Sequence, residues 1–400
     1  MSLLKNKRLR AVALGVLMTS GVVGAYFTLR PANEAYRFQI RSAIPGAGND
    51  FRLAIYQSLG TRMTPGHTVT WLNNGQVFDA LARSVGAAKS SIHMLLYIWE
   101  EGSASARITS AIVGRAKAGV QCRILVDAFG SSAFGKTVAP QLKAAGCDVR
   151  IFRPAAAGAT IARNHRKIVV IDGTSAVTGG FGIRDNWLGD GVNNEGWRDA
   201  NVSFSGPAVT EAQQAFAENW QEAGGALLPN EAFPSLAASG GAEAGFVAST
   251  NSITVTRAER LTQLLIAAAK RRLWISNAYV VPSSAILALL KQKALEGVDV
   301  RLLAPGKKSD SKTSFGLQHT EYGSLLKHGV RIWEYQPSMF HAKTMLVDER
   351  LVVVGSINLD PLSLNKLEEG ALIVNDETFA AQLAGAFQKD CSHSRELTNQ

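Results

Sequence analysis

One sixteen-residue pattern occurs twice in this chain, and that duplication constrains the fold more than any other feature. HRKIVVIDGTSAVTGG runs from His165 and HAKTMLVDERLVVVGS from His341. Each carries His-x-Lys (His165 and Lys167, His341 and Lys343), an aspartate at Asp172 or Asp348, and a glycine followed by a small residue, Gly179–Gly180 or Gly355–Ser356. The segments upstream repeat as well. GVQCRILVDAFG from Gly119 is answered by GVDVRLLAPG from Gly297, and LKAAGCDVRIFRP from Leu142 by LLKHGVRIWEYQP from Leu325. The distances from Gly119 to His165 and from Gly297 to His341 are nearly equal, as a duplicated supersecondary unit requires.

Each copy reads as alternating α and β. Val77–Lys89 and Arg107–Gly119 have helical periodicity, while Ser91–Trp99 and Val120–Phe129 are strand-like runs. Ala258–Pro282 repeats the helix-then-strand order in the second copy. Alternation of this kind predicts a mostly parallel or mixed sheet with helices on its faces. Between the copies, Gly224–Gly245 is rich in Gly, Ala, Ser and Pro without sustained periodicity, which reads as a linker. The expected division is a membrane anchor or signal segment at 1–30, a juxtamembrane segment at 31–65, one domain at 66–225, a linker at 226–250 and a second domain at 251–398.

The N-terminal assignment rests on Lys5, Lys7, Arg8 and Arg10 followed by Ala11–Leu29, which contains no charged residue and is long enough to span a bilayer. A cleaved signal peptide, cut after Ala25, is the competing reading. An uncleaved single-pass anchor is favoured by the length of the apolar run. In either case the basic flank stays cytoplasmic and the remainder crosses the membrane.

At 400 residues, 46% hydrophobic and 18% charged, the chain can build full cores and is not a disordered polymer. Its net charge of +10 is scattered, so it points to anionic partners and leaves phospholipid headgroups and nucleic acid both open. Cys122, Cys147 and Cys391 are too few and too far apart for a zinc site and read as small core residues. A Cys122–Cys147 disulfide stays open if the chain is exported.

On a strand, residues two apart share a face, so each histidine lies beside its lysine. A single copy is a strand end with satisfied polar groups. Two copies make another arrangement available. One neutral imidazole attacks phosphorus, the lysines neutralise the non-bridging oxygens, and the other imidazolium protonates the departing alcohol. Asp172 and Asp348 fall at hairpin turns, where they can pair with a lysine or hold backbone amides. A His-His metal site is disfavoured because the lysines would repel the cation, and no cofactor is implied. His67, His93, His319, His328 and His393 lack this context and read as surface or core residues.

The motif pair resembles that of the phospholipase D superfamily, and from about Trp71 to Leu397 the chain is similar to the bacterial cardiolipin synthases within it. The residues that carry this include NHRKIVVIDG, TGGFGIRDNWLGDG, WRDANVSFSGPAV, GVRIWEYQPSMFHAKTMLVD and VVGSINLDPLSLN. The resemblance implies an α/β fold of two duplicated α-β-α sandwich domains about a pseudo-two-fold axis. It also implies His165 as nucleophile and His341 as general acid, the reverse assignment staying open, with both lysines and both motif aspartates in the catalytic set.

By the same resemblance Asn358, Ser356 and Gly180 hold the phosphate, and an acid some thirty positions after each histidine orients its ring. Those acids are Asp199 and Glu369, with Glu368 as alternate to the latter. Gly182 stands where the second copy has Asn358, so the phosphate pocket is asymmetric, and backbone amides around Gly179–Gly182 are a substitute. The implied activity is phosphatidyl transfer, with cardiolipin and glycerol formed from two phosphatidylglycerol molecules. Hydrolysis to phosphatidic acid, a nuclease and a non-catalytic membrane protein are the alternatives. The expected partners are an anionic phospholipid and a bacterial membrane, with the catalytic region extracytoplasmic, no obligatory nucleic acid and the oligomeric state open. The segments SLGTRMTPGHTV (Ser58–Val69) and GKKSDSKTSFGLQ (Gly306–Gln318) are candidates for headgroup or membrane contact.

Overall fold

Short runs rich in Val, Ile and Leu form the strands, as their preference for a pleated, buried surface dictates. The computed structural model describes residues 39–154, 162–193, 196–252 and 254–398. The first copy supplies β1 (Thr64–Asn73), β2 (Ser91–Leu96), β3 (Gln121–Asp127), β4 (Asp148–Phe152), β5 (Ile168–Ile171), β6 (Ser175–Gly179) and β7 (Ala200–Ser205). The second supplies β8 (Ala242–Ser249), β9 (Arg272–Ser276), β10 (Asp299–Pro305), β11 (Arg331–Tyr335), β12 (Thr344–Val347), β13 (Leu351–Gly355) and β14 (Glu369–Asn375), and β15 (Ser394–Leu397) ends the chain's last helix.

All fifteen strands join one mixed sheet in the order β15-β11-β10-β9-β12-β13-β14-β8-β1-β7-β6-β5-β2-β3-β4. With β15 set aside, the order read inward from either edge is the same for both copies. They meet where β8 pairs antiparallel with β1, at Thr64↔Ala244 and His67↔Ala242. Within each copy the first three repeat strands after the junction strand are parallel, β2-β3-β4 and β9-β10-β11, and the histidine hairpin is antiparallel beside them.

Helices cover both faces. Gln76–Ala87 and Ser103–Lys117 close a core within the first copy, and Arg257–Ala268 and Ser284–Leu295 close its counterpart in the second. On the opposite face, helices Ala208–Glu222 and Glu377–Ser392 bury one common cluster that draws Phe204, Phe216 and Trp220 from the first copy and Trp274, Phe340 and Phe387 from the second. The two copies therefore share a core as well as a sheet.

Two expected boundaries are corrected. The supposed linker 226–250 contains β8, a central strand of the sheet. Its composition misleads because a close neighbour forbids larger side chains: a Cβ on Gly245 would lie 2.9 Å from the Arg62 carbonyl oxygen. The supposed juxtamembrane segment 31–65 contains a helix, Gly48–Leu59, that buries Phe51, Ile55 and Leu59 in the core of the second copy and stops at Gly60, with φ of 70°. Its apolar residues recur every four positions, the spacing of one helical face. The segment Ala11–Leu29, expected to be a membrane anchor, lies outside the described residues. Among the described residues no helix is long and apolar enough to cross a membrane.

The motif aspartates are also placed away from their expected catalytic role. Asp172 closes the β5–β6 turn with φ of 54°, and its carboxylate accepts the amides of Lys89, Ser90 and Ser91 at 2.9, 2.7 and 2.9 Å. Asp348, with φ of 52°, accepts the amides of Lys270, Arg271 and Arg272 at 3.2, 2.8 and 3.0 Å. Each stands seven positions after its histidine, on the order of 20 Å along an extended chain. Each aspartate pins its hairpin to the first strand of the parallel set. Burial alone would raise the Asp172 carboxyl, but the three amides outweigh it and hold the group below its usual range.

Replacing Asp172 by Ala is expected to lower stability by about 1–3 kcal/mol at neutral pH, the cost of amides left without an acceptor. Because the folded carboxyl is depressed, this contribution is present above an unfolded pKa of about 3.9 and disappears as pH falls through the folded value. Urea midpoints at pH 7 and at pH 3 check both points. A variant of full stability that has lost turnover would overturn the structural assignment.

Candidate active site

The two histidine strands reach the site by a cross-connection that the order of the chain does not suggest. The backbone at Asn164 bridges Glu368 in parallel: the His165 amide donates to the Glu368 carbonyl and the Glu368 amide to the Arg163 carbonyl, both at 2.8 Å. Its counterpart bridges Arg198 to Phe340, with the His341 amide donating to the Arg198 carbonyl at 2.7 Å and the Arg198 amide to the Met339 carbonyl at 2.9 Å. Each histidine segment is thus stitched to the acid-bearing segment of the other copy.

This reverses the expected pairing of acids and rings. The imidazole of His165 meets Glu369, with Nδ1 at 2.9 Å from Oε1, and that of His341 meets Asp199, with Nδ1 at 3.2 Å from Oδ2. The expected partners within each copy do not touch their histidines because the backbone bridges carry them across. Glu368, the alternate acid, turns away to Arg153 at 2.6 Å and to Asn219.

Electrostatics then sets the protonation states. Burial lowers the pKa of His165, with Lys167 adding to the effect against the opposing pull of Glu369. Burial and then Lys343 lower His341 to about 3. For the two carboxylates, burial works upward, yet His165 with Lys167 holds Glu369 below the ordinary range, and His341 with Lys343 does the same for Asp199. At neutral pH each site pairs a carboxylate with a neutral imidazole. Nδ1–H donates to the carboxylate and Nε2 keeps its lone pair.

The lysines complete the cluster. Lys167 Nζ donates to the His165 carbonyl at 2.6 Å and lies 5.6 Å from the centre of the Tyr97 ring, while Lys343 Nζ donates to the His341 carbonyl. Burial lowers Lys167 to about 7 and Lys343 to about 8. They are cations held at the edge of deprotonation, a state that an anionic ligand relieves.

Both histidines and Lys167 line one cavity of about 620 Å³, together with Asn358 and Gly180. Tyr97 packs edge-on against His165 at 5.1 Å, and Trp187, Trp197 and Tyr279 surround His341 at 5.3, 5.2 and 6.4 Å. These aromatics were not among the expected site residues. Trp197 stands two positions before Asp199 and Trp187 lies in the segment DNWLGDG, but alone each reads as a core residue.

The phosphate-site expectations divide. Asn358 lines the cavity. Gly180 also does, and its lack of a side chain is required, because a Cβ would lie 2.3 Å from Asp199 Oδ1. Ser356 is fully buried and its hydroxyl donates to Glu369, as does that of Ser363, so Ser356 holds the carboxylate instead of a ligand. In the first copy the comparable donor is Trp187, whose indole nitrogen donates to Asp199 Oδ2 at 2.7 Å. Trp187 also accounts for Gly182, where a Cβ would lie 3.1 Å from the indole and 2.9 Å from Ile98. The amides of Gly180 and Phe181 do not take over from a missing asparagine, since they already donate to the Ala200 carbonyl and the Asn201 side chain.

Known structures share this architecture. A phosphatidylserine synthase from Haemophilus influenzae superposes with a TM-score of 0.66 over 87% of this chain and 92% of its own, at 13% identity. A polyphosphate kinase from Porphyromonas gingivalis gives 0.55 over 83% and 48%, at 11% identity. At these identities the likeness is one of fold. In sequence, a cardiolipin synthase A of Pseudomonas aeruginosa is 31% identical over 86% of this chain and 71% of its own length. The major cardiolipin synthase of Bacillus subtilis is 29% identical over 91% and 77%. The profile of the family described as "Cardiolipin synthase, PLD-like domain" matches residues 81–220 and 263–391, and the chain belongs to that family.

Proposed function

We propose that this protein is a phosphatidyltransferase that makes cardiolipin from two molecules of phosphatidylglycerol, releasing glycerol, through a phosphohistidine. The observation that carries the reading is the pair of neutral imidazoles, each tied at Nδ1 to a buried carboxylate of the other copy and facing one cavity with a lysine beside it. Membership of the cardiolipin synthase family supports the choice of lipid. The duplicated scaffold, with its palindromic strand order, is read as two domains about a pseudo-two-fold axis.

In the first half-reaction His165 Nε2 attacks the phosphorus of the donor lipid. The bond from phosphorus to the glycerol oxygen breaks, and His341 supplies the proton that oxygen needs. Burial first, and then Lys343 and Lys167, keep this imidazole neutral without substrate; the charge of the bound phosphate favours uptake of a proton from solvent at its Nε2, and that is the proton delivered. In the second half-reaction neutral His341 removes the proton of the acceptor hydroxyl, the oxygen attacks phosphorus and the P–N bond breaks. Asn358 and the two lysines hold the non-bridging oxygens throughout, while Asp199 and Glu369 keep the rings in the productive tautomer.

The cavity mouth suits a lipid surface. Leu317 and Leu362 line the cavity and are 47% and 44% exposed, and Lys366 and Arg184 line it beside them. Phe129, 71% exposed, stands on the loop that shares the Asp127 carboxylate with the Asn164 amide next to His165. Of the two candidate contact segments, Gly306–Gln318 reaches this cavity through Ser311, Thr313, Ser314 and Leu317. Ser58–Val69 does not; its second half is the start of β1 at the centre of the sheet. An uncleaved anchor at Ala11–Leu29 would hold the mouth against the membrane, with the catalytic region on its extracytoplasmic side.

Incubation with phosphatidylglycerol in mixed micelles, with a chelator present, should yield cardiolipin and glycerol by mass spectrometry. Phosphatidic acid in their place would assign hydrolysis, and cleavage of an oligonucleotide without lipid turnover would remove the lipid reading. His165→Ala should lower kcat on the order of 10³-fold or more and abolish acid-labile phosphoenzyme. His341→Ala should lower it by about 10²–10⁴-fold.

The affinity for a non-cleavable phosphodiester analogue should fall as pH rises through about 7 to 8, where Lys167 and Lys343 lose their charge. Affinity that holds until pH near 10 would contradict the buried, mutually repelling lysines. Leu317→Glu with Leu362→Glu should weaken sedimentation with anionic vesicles while sparing turnover of a short-chain soluble lipid. Unchanged vesicle binding would remove the mouth from the membrane contact.

A further inference from the structure

The internal repeat offers a comparison that isolates a pair of thiols far from the cavity. In the second copy Val300 on β10 and Val330 just before β11 are both buried in one apolar cluster, and the parallel register Arg301↔Arg331 sets them side by side. The equivalent positions of the first copy are Cys122 on β3 and Cys147 just before β4, set side by side by the register Arg123↔Asp148. An ordinary apolar pair therefore suffices for packing at this place in the scaffold. The first copy carries two sulfur atoms there instead.

Both cysteines are buried free thiols, 4% and 6% exposed, in one cluster. Neighbouring strands bring paired Cα atoms to about 5 Å, within the 4.4–6.8 Å span of disulfides. Residues opposite each other on parallel strands also project to the same face. Cys147 follows a glycine turn, Gly146 with φ of 95°, so its backbone is not locked into the ladder on that side. Cys391 lies in the helix Glu377–Ser392 and packs against the other cluster, so it does not compete.

We infer that Cys122 and Cys147 form a native disulfide when the chain folds under oxidising conditions. The two thiols give up two protons and two electrons to form the S–S bond, and a disulfide-bearing oxidant accepts them, becoming a dithiol through a mixed-disulfide intermediate. Because both sulfurs end up buried, the bond forms during folding, before the cluster that holds them closes. It staples β4, the edge strand of the sheet, to β3. The residue following β4 is Arg153, which grips Glu368 at 2.6 Å beside the cross-copy bridge to His165. The staple thus steadies the edge from which that grip is made. This inference does not depend on the proposed reaction.

The test uses the full chain, denatured and refolded in oxidised and reduced glutathione, and in parallel isolated from membranes with an alkylating agent present at lysis. Refolded protein should retain one alkylatable thiol, Cys391, and give a non-reducing digest with a Cys122–Cys147 peptide lighter by two hydrogen atoms. Reduction should lower Tm by several degrees, and the Cys122→Val and Cys147→Val double variant, built on the second copy's pair, should fold and lose that response. Three free thiols after refolding, a bond to Cys391, or a double variant that keeps the reductant response would overturn the inference. The same bond is expected in membrane-isolated protein, and three free thiols there would overturn its being native.

Discussion

Two buried ion-pair-like contacts hold this site together: His165 with Glu369 and His341 with Asp199. Each spans the two copies of the scaffold. Neither imidazole meets a carboxylate of its own copy, so neither copy alone carries a complete histidine–carboxylate pair. The shared sheet, the shared core under helices Ala208–Glu222 and Glu377–Ser392, and the paired backbone bridges at Asn164 and Arg198 all serve to bring those contacts to one place. Removing one partner of such a pair would leave an uncompensated polar group in a dry interior, which is costly.

The interior arrangement also decides the charge balance. Two lysines, two imidazoles and two carboxylates are packed together, all of them buried. The carboxylates keep their charge because the basic groups surround them, whereas the imidazoles lose theirs to burial and to the lysines. With both imidazoles neutral, the two lysines at most balance the two carboxylates, so an added negative charge raises the proton affinity of lysines and imidazoles alike. In the proposed reaction a phosphodiester supplies that charge and, in doing so, raises the proton affinity of His341, so that binding and acid catalysis would be linked by one field.

The asymmetry between the halves has a steric origin. In the second copy Ser356 and Ser363 hold the carboxylate, and Asn358 faces the cavity. In the first, the indole of Trp187 takes the carboxylate and crowds the space beside Gly182. One side of the cavity is therefore walled by aromatic surface against His341, and the other offers an amide. A chemically directional reaction, with one histidine as nucleophile and one as acid, suits such a site better than a symmetric one would.

The duplicated spacing of His165-x-Lys167 and His341-x-Lys343 was sufficient to determine that two like scaffolds exist, that their strands are α/β and that two histidines belong to one centre. Periodicity and turn residues are local properties, legible along the chain. What tertiary structure alone decided was non-local. It exchanged the acids between copies and turned a Gly- and Ala-rich apparent linker into strand β8. It also gave Asp172 and Asp348 to backbone amides at the far end of the hairpin and brought Trp187 and Trp197 against His341. These outcomes depend on which surfaces meet across hundreds of residues, and a residue type says only what it can bond, not which partner arrives.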